Sequence, residues 1–138
     1  PRHGFQPEAE VVKEKGQQAA AREKHLQALV RVYCAFSATW SLGANLHESC
    51  RDKFQTFLRG KLQSFMPDVP DSNLYSLCVN DDEAKFQPIS NIVQNFVFDE
   101  SVPFFNILVP TVETTIQRIL VENLLSANFH CLFTGETG

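Results

Sequence analysis

Apolar residues between Leu26 and Phe65 recur at the spacing of an α-helix, which restricts this part of the chain to helical structure. They occupy positions i, i+3, i+4 and i+7 in two successive runs, and each run forms one apolar stripe. Gly43, a residue type that commonly ends helices, separates the runs. We predict a helical hairpin whose second helix begins near Asn45 or His47. The stripes consist of Leu26, Leu29, Val30, Tyr33, Phe36 and Trp40, and of Phe54, Phe57, Leu58, Leu62 and Phe65.

The composition disfavours two classes of protein. The 138 residues have a net charge of −4 and no basic cluster, whereas binding to nucleic acid requires grouped Lys and Arg. The mean hydropathy is −0.16 and no run of about 18 apolar residues is present, which argues against a membrane-spanning helix. We therefore expect a globular chain with neither nucleic acid nor a membrane as a partner.

The first 25 residues differ from the rest in charge and polarity. Residues 1–33 contain six Lys or Arg and four Asp or Glu, a net charge of +2, whereas residues 34–138 have a net charge of −6. The stretch Glu8–Lys24 is rich in Glu, Lys, Gln and Ala, which favours a solvated helix, although Gly16 weakens it. We predict a polar helical extension or a frayed terminus over residues 1–25.

A connector of mixed character follows Pro70. Leu74–Val79 can place three large side chains on one face and predicts a short strand. Asn80–Glu83 is acidic but lacks the alternating ligands and the glycine of a calcium loop, so we predict a solvated turn. Phe96–Phe98 predicts another extended piece, and Val102–Pro110 predicts a mostly extended apolar segment.

The cysteines do not form a metal-binding pattern. They lack the C-x-x-C spacing and the clustered histidines of zinc sites, so we predict no metal site and free thiols in a reducing compartment. The four are Cys34, Cys50, Cys78 and Cys131.

A third helix is predicted directly after Pro110. Thr111 can cap it, and Glu113 lies in the first turn, where the helix dipole favours an anion. Asn128 suits the position after the helix. The predicted apolar face is Ile116, Ile119, Leu120 and Leu124.

The last nine residues are similar to the start of a phosphate-binding loop. His130–Thr134 predicts a short buried strand, and Gly135–Gly138 follows it. In the full G-x-x-x-x-G-K-[ST] pattern the glycines let backbone N–H groups surround the phosphates. Residues 135–138 cover only the first positions of the pattern, so a simple turn is the alternative on the motif alone. These four are Gly135, Glu136, Thr137 and Gly138.

Three segments together resemble the dynein heavy chains. Ile107–Thr114 is similar to the family's VPT-x-D-T element, Phe36–Gly43 to its F-x-x-x-W-S-x-G-G helix, and Arg51–Arg59 to its R-x-K-F-D-x-F-L-R element. The resemblance covers residues 34–138, and the form of the loop at Thr137 is closer to axonemal dyneins. Departures from the family pattern are Ala44, Glu113 and Ile116.

The resemblance implies an α+β piece of a longer protein that spans the end of the second AAA+ module and the start of the third. We expect a polar extension over 1–25, a helical lid segment over 26–66, a connector with short strands over 67–106, and over 107–138 the first helix and strand of an α/β P-loop domain. Because the chain begins at Pro1 without Met and stops at Gly138, we expect both ends to be cut.

The resemblance also implies the function of the parent protein, an ATP-driven, minus-end-directed microtubule motor of cilia or flagella. Residues 135–138 would form part of the Walker A loop for ATP with Mg²⁺, in a regulatory module, and three residues would lie beside the adenine. The implied partners are the rest of the AAA+ ring, dynein intermediate and light chains, and microtubules, in the cytoplasm and on the cytoskeleton of the ciliary axoneme. The residues on the adenine side are Leu108, Val109 and Pro110.

Catalysis by this chain alone is not expected. The P-loop lysine, the Walker B carboxylates and an arginine finger are not recognisable in the sequence, and ATP hydrolysis requires them. Two alternatives stay open: a non-catalytic short form or interaction fragment in which residues 1–33 bind a partner, and an unrelated P-loop enzyme.

Overall fold

A computed structural model describes residues 7–132 and 134, and the side chains from residue 13 onward. Over these residues the chain forms three α-helices and one two-stranded sheet, which confirms the predicted α+β class. The helices are α1 (Pro7–Gly43), α2 (Glu48–Leu62) and α3 (Val112–Ser126), and the paired strands are β1 (Leu77–Asn80) and β2 (Lys85–Pro88). Short 3-10 helices cover Leu74–Ser76, Ile89–Asn91 and Phe104–Asn106.

The chain divides into two compact units. The first contains α1 and α2 with the chain up to Tyr75, together with Val79–Phe86. The second contains Ser76–Cys78 and the chain from Gln87 onward, including α3.

α1 extends through the polar N-terminal stretch. The structure confirms a helix over Glu8–Lys24, and Gly16 lies inside it without ending it. Every described side chain from Lys13 to Gln27 is exposed, as expected for a helix of Glu, Lys, Gln and Ala. The domain boundary at residue 25 stays a prediction.

The buried face of α1 differs from the predicted stripe. Leu26 and Val30 are 59% and 61% exposed, and Tyr33 is exposed as well, so the stripe was wrong at these positions. The buried residues keep the helical spacing but include small side chains, which let a neighbouring helix approach closely. The Thr39 hydroxyl donates to the carbonyl of Ala35 at 2.9 Å, so its polar atom can be buried. The buried residues are Val32, Ala35, Phe36, Thr39 and Gly43.

α2 begins where it was predicted. His47 is its N-cap, and its Nδ1 accepts a hydrogen bond from the Ser49 backbone N–H at 3.3 Å. Leu58 and Leu62 are buried, whereas Phe57 and Phe65 are exposed, so the predicted stripe is correct for the leucines and wrong for these two phenylalanines. The Phe57 ring instead lies against Lys61, whose Nζ is 5.5 Å from the ring centroid.

Polar side chains of α2 hold the segment that follows it. The buried Gln55 accepts a hydrogen bond from the Leu74 backbone N–H at 3.1 Å. Arg59 donates to the carbonyls of Pro70, Asp71 and Ser72 at 3.0, 3.2 and 2.8 Å. These bonds satisfy backbone groups that no helix or sheet pairs, and they fix the path of the chain under the helical hairpin.

Tyr75 is the centre of an aromatic cluster at the end of α1. Its hydroxyl donates to the carbonyl of Gly43 at 3.0 Å. The Trp40 ring meets the Tyr75 ring edge-on at a centroid distance of 5.4 Å, and the Arg51 guanidinium lies 4.9 Å from the Tyr75 centroid. Such contacts are favourable because the ring face is electronegative and the ring edge and the cation are positive.

The acidic segment after β1 is a turn, as predicted, and Tyr33 is attached to it. The Tyr33 hydroxyl donates to Asp81 Oδ1 at 2.7 Å. This hydrogen bond, with lesser contributions from burial and from the Asp81 charge, raises the pKa of Tyr33 from 10.0 to about 12. The phenol is therefore held neutral in the fold, so its stabilising effect is present below pH 10 and is lost as the pH rises to about 12.

We expect Asp81→Asn to lower the pKa of Tyr33 towards its ordinary value. The chain has two tyrosines, so phenolate absorbance should show one of the two titrations moving to lower pH. Asp82→Asn is the matched control, because no contact of the exposed Asp82 with Tyr33 is present. An unchanged titration in the Asp81 variant would contradict the assignment.

β1 and β2 form a hairpin in the part of the connector where the sequence predicted one strand, Leu74–Val79. Leu74–Ser76 is a 3-10 helix and only Leu77–Asn80 is a strand, so the prediction for Leu74–Val79 is correct in its second half. β2 was missed because it has only four residues and Phe86 is the only large apolar side chain among them, which is too little for a strand pattern. Ala84, the last residue of the turn, has φ of 52°. Alanine rarely adopts a positive φ, so the sequence did not predict this conformation.

α3 follows the prediction closely, and the residues after it do not. Asn128 adopts φ of 60°, which suits a residue after a helix, and Ile116 is buried, although Leu124 is half-exposed. Residues 130–132 and 134 are irregular, and Leu132 is 89% exposed, so the described residues do not form the predicted buried strand. A strand requires a neighbour for its backbone hydrogen bonds, and the sheet of the described residues has only β1 and β2. Phe96–Phe98 is irregular too.

Candidate nucleotide-binding element

A groove in the second unit contains two of the three residues predicted to lie beside adenine. Its volume is about 340 Å³, within the range of small-molecule sites. Leu108 and Pro110 line it, whereas Val109 is half-exposed and is not part of its wall. The lining residues are Asn95, Phe96, Val97, Asp99, Val102, Asn106, Ile107, Leu108 and Pro110.

One wall of the groove is set by a short 3-10 turn. Pro103 precedes the turn with its φ fixed by the ring, and the Asn106 backbone N–H donates to the Pro103 carbonyl at 2.8 Å. The Ile107 N–H donates to the Phe104 carbonyl at 3.2 Å. The chain then extends through Leu108 into the start of α3. These bonds hold the backbone while Leu108 stays 71% exposed and available to a flat apolar ligand.

α3 starts with a capping box directly after the groove. The Thr114 N–H donates to Thr111 Oγ1 at 3.2 Å, and the Thr111 N–H donates to Thr114 Oγ1 at 2.8 Å. Hydrogen bonds from its own backbone N–H and from the Thr111 hydroxyl lower the pKa of Glu113. The helix therefore begins with a carboxylate near its positive end, as predicted.

We expect Thr111→Ala to destabilise α3 by about 1 kcal/mol, because the substitution removes the Oγ1 that accepts from the Thr114 backbone N–H. Thermal unfolding monitored by circular dichroism measures the change. Thr56→Ala is the control, because the Thr56 hydroxyl only donates to the Asp52 carbonyl within α2, and Ala there should be neutral or slightly favourable. Equal losses in the two variants would contradict a role for the cap.

Polar groups of two kinds face the apolar walls of the groove. Asp99 Oδ1 accepts from the Ser101 hydroxyl at 2.7 Å and from the Ser101 N–H at 2.8 Å, and these bonds lower the pKa of Asp99. The side-chain amides of Asn95 and Asn106 make no hydrogen bond within residues 7–132 and 134. The groove thus offers apolar surface for a ring, two amides for hydrogen bonds and a carboxylate that can accept from hydroxyl groups.

The predicted phosphate-binding residues Gly135, Glu136, Thr137 and Gly138 lie outside the described residues. A second cavity of about 340 Å³ lies between α3 and the segment that leads to them. Its lining residues are Gln117, Leu120, Val121, Leu124, His130, Cys131 and Leu132.

Sequence reasoning missed the three polar residues of the groove. Asn95 and Asp99 lie in an irregular segment and Asn106 ends a short 3-10 helix, and no spacing rule connects them to Leu108 and Pro110. Only the folded path of the chain brings them to one groove.

The described residues contain neither a metal-binding cluster nor a membrane-spanning helix. No group of three His, Cys, Asp or Glu there is arranged to hold a metal ion, and the four cysteines are unpaired. Within the same part of the chain, every helix is too polar or too short to cross a membrane.

Two families match successive parts of the sequence. The family described as the dynein heavy chain AAA lid domain matches residues 8–91. The family described as the P-loop containing dynein motor region matches residues 96–138. No solved structure matches the chain.

Several curated proteins are similar to most of the chain. Human dynein axonemal heavy chain 6 is 34% identical over 134 residues, which is 95% of this chain. The dynein alpha chain of the flagellar outer arm of Chlamydomonas reinhardtii is 26% identical over 81% of the chain, and mouse dynein axonemal heavy chain 8 is 29% identical over 75%. The chain spans only 2–3% of the length of these relatives.

Proposed function

We propose a function from one premise: this chain belongs to the dynein heavy chain family, and it consists of a AAA lid followed by the start of a P-loop motor region. The lid closes the second AAA+ module of the motor, and the P-loop region opens the third. The third module binds ATP and regulates the motor, which moves towards microtubule minus ends and whose hydrolysis takes place mainly elsewhere in the ring.

The order of the two families along the chain carries this proposal. The lid match ends at residue 91 and the P-loop match begins at residue 96, so the groove lies at the start of the P-loop region. An adenine base fits such a groove, because Leu108 and Pro110 offer apolar surface and about 340 Å³ accommodates a flat ring system.

With the adenine in the groove, the phosphates of the nucleotide would lie at the P-loop. Leu108, Val109 and Pro110 lie on the adenine side, and Gly135 to Gly138 form the first part of the phosphate cradle, where backbone N–H groups donate to phosphate oxygens. Mg²⁺ neutralises charge on the β- and γ-phosphates when it is bound. This chain supplies the base contacts and the start of the cradle.

The whole protein acts in cilia or flagella. The relatives named as axonemal or flagellar support a place on the axonemal cytoskeleton. Its partners are the other modules of the AAA+ ring, dynein intermediate and light chains, and microtubules.

Photolabelling with 2-azido-ATP tests the nucleotide site in the intact heavy chain that contains this sequence. Trypsin cleaves after Lys85 and Arg118, and no Lys or Arg lies between them, so the whole groove is carried on the peptide Phe86–Arg118. We expect this peptide to be labelled, and excess ATP to prevent the labelling. The peptide Phe54–Arg59 of α2 is the internal control and should stay unlabelled.

Absence of labelling in this peptide would contradict the proposed nucleotide site. If Phe86–Arg118 is never labelled while other nucleotide sites of the ring are, the groove does not hold adenine. A non-catalytic interaction role would then be the better account, and the exposed helix from Lys13 to Gln27 would be its first candidate surface.

A further inference from the structure

Two amide side chains line the groove proposed to hold adenine, and neither was expected from the sequence. Asn95 and Asn106 are exposed, and the side-chain amides of both are without a hydrogen-bond partner across residues 7–132 and 134. The other lining residues are apolar except Asp99, whose Oδ1 is already engaged by Ser101. The amides are therefore the groups of the groove that can both donate to and accept from a ligand at the same time.

Of the two amides, Asn106 has the better-defined position. Its backbone N–H donates to the Pro103 carbonyl at 2.8 Å, and the next residue is bonded to the Phe104 carbonyl. It immediately precedes Ile107 and Leu108, which belong to the apolar wall. Asn95 lies in an irregular segment without backbone hydrogen bonds of its own in the described part of the chain.

We infer that the Asn106 amide recognises the edge of the adenine base and so determines the base preference of this nucleotide site, an inference that rests on the proposed function. An asparagine amide matches adenine in two places, because its carbonyl accepts from the exocyclic N6 amine and its NH₂ donates to a ring nitrogen beside that amine. The apolar wall at Leu108 and Pro110 contacts the ring face, while Asn106 contacts its edge.

This division of roles makes a chemical prediction. The ring face of a base is apolar whichever groups it carries, so Leu108 and Pro110 should bind different purines similarly. The N6 amine is the group that only a polar acceptor can distinguish. A purine nucleotide without that amine should therefore bind less tightly. The loss of about one neutral hydrogen bond lowers the affinity about fivefold.

The test compares two competitors against labelling of the same peptide. In the intact heavy chain, 2-azido-ATP labels Phe86–Arg118, and either ATP or purine riboside 5′-triphosphate, which lacks the exocyclic amine, is added to protect it. With the native sequence we expect ATP to protect at about a fivefold lower concentration. With Asn106→Leu the two competitors should protect at equal concentrations, because the acceptor for the amine is gone.

A matched variant separates base recognition from general effects. Gln94→Leu removes an exposed amide from the same segment, but Gln94 does not line the groove, so the fivefold preference should persist. Because Asn106 is exposed and its side chain makes no described contact, the Leu variant should fold as the native protein does.

The outcomes distinguish the role of Asn106 from the proposed nucleotide function of the groove. If Phe86–Arg118 is not labelled in the native protein, the nucleotide function of the groove fails. If the peptide is labelled and protected by ATP, but the preference over purine riboside triphosphate is absent or survives in Asn106→Leu, the site stands and the role of Asn106 is wrong.

Discussion

Leu74→Ala should lower the free energy of unfolding of the first unit by about 2–5 kcal/mol, which is the usual loss for a fully buried leucine. Leu74 is 2% exposed. Its backbone N–H is fixed by the buried Gln55, so the segment is held in place and cannot collapse into the space that the substitution creates. The loss should therefore combine the removed apolar contact with a residual cavity.

Urea unfolding monitored by Trp40 fluorescence measures this change in the unit concerned, because Trp40 is the only tryptophan of the chain and contacts Tyr75, the neighbour of Leu74. Leu42→Ala is the matched control, because Leu42 is 67% exposed on α1 and should change stability by at most about 0.5 kcal/mol. Similar midpoints for the two variants would show that Leu74 does not belong to a packed core.

The ends of the helices were the most predictable part of the fold. The starts of α2 and α3 follow from local chemistry: His47 and Thr111 present side-chain acceptors to the first free N–H groups, and these contacts lie within three residues. Asn128 tolerates a positive φ after α3 for the same local reason. Interactions of such short range can be inferred from residue order alone.

The buried faces of the helices were less predictable, because the neighbouring elements determine which face of a helix is buried. On α1 the sequence favours Leu26 and Val30 by size, yet the structure buries Ala35 and Thr39 instead. Close packing rewards complementary shape as well as apolar area, and a threonine hydroxyl can be satisfied by the helix itself. Hydrophobic periodicity takes account of neither shape complementarity nor the hydrogen bond of the hydroxyl.

The candidate site was predictable only where it resembled a family motif. Leu108 and Pro110 were expected on the adenine side from such a motif, and the structure places both in one groove. The amide and carboxylate groups of the groove lie up to 15 residues from Pro110, with Asn95 and Asp99 in an irregular segment and Asn106 in a 3-10 turn. Their convergence depends on the 3-10 turn after Pro103, which is a property of the folded chain.

Gly43 gives the second prediction of large effect, because a side chain there would meet two packed rings. A Cβ at Gly43 would collide with the Tyr75 hydroxyl oxygen and would lie 2.5 Å from Phe54 Cε1. The Tyr75 hydroxyl also donates to the Gly43 carbonyl, and Trp40 and Arg51 contact the Tyr75 ring, so the ring is held from several sides. We expect Gly43→Ala to destabilise the first unit by about 2–3 kcal/mol, the upper part of the range for overpacking a core.

Gly60→Ala supplies the comparison that isolates the collision. Gly60 lies inside α2 and nothing approaches within 4 Å of its would-be Cβ, so alanine should stabilise the unit by about 1 kcal/mol through helix propensity alone. Both substitutions add one methyl group to a helical glycine, so a difference between them measures packing at Tyr75 rather than backbone entropy. Urea midpoints that shift in opposite directions support the aromatic cluster as the closure of the α1–α2 hairpin, whereas midpoints that rise together would show that Tyr75 and Phe54 yield without loss.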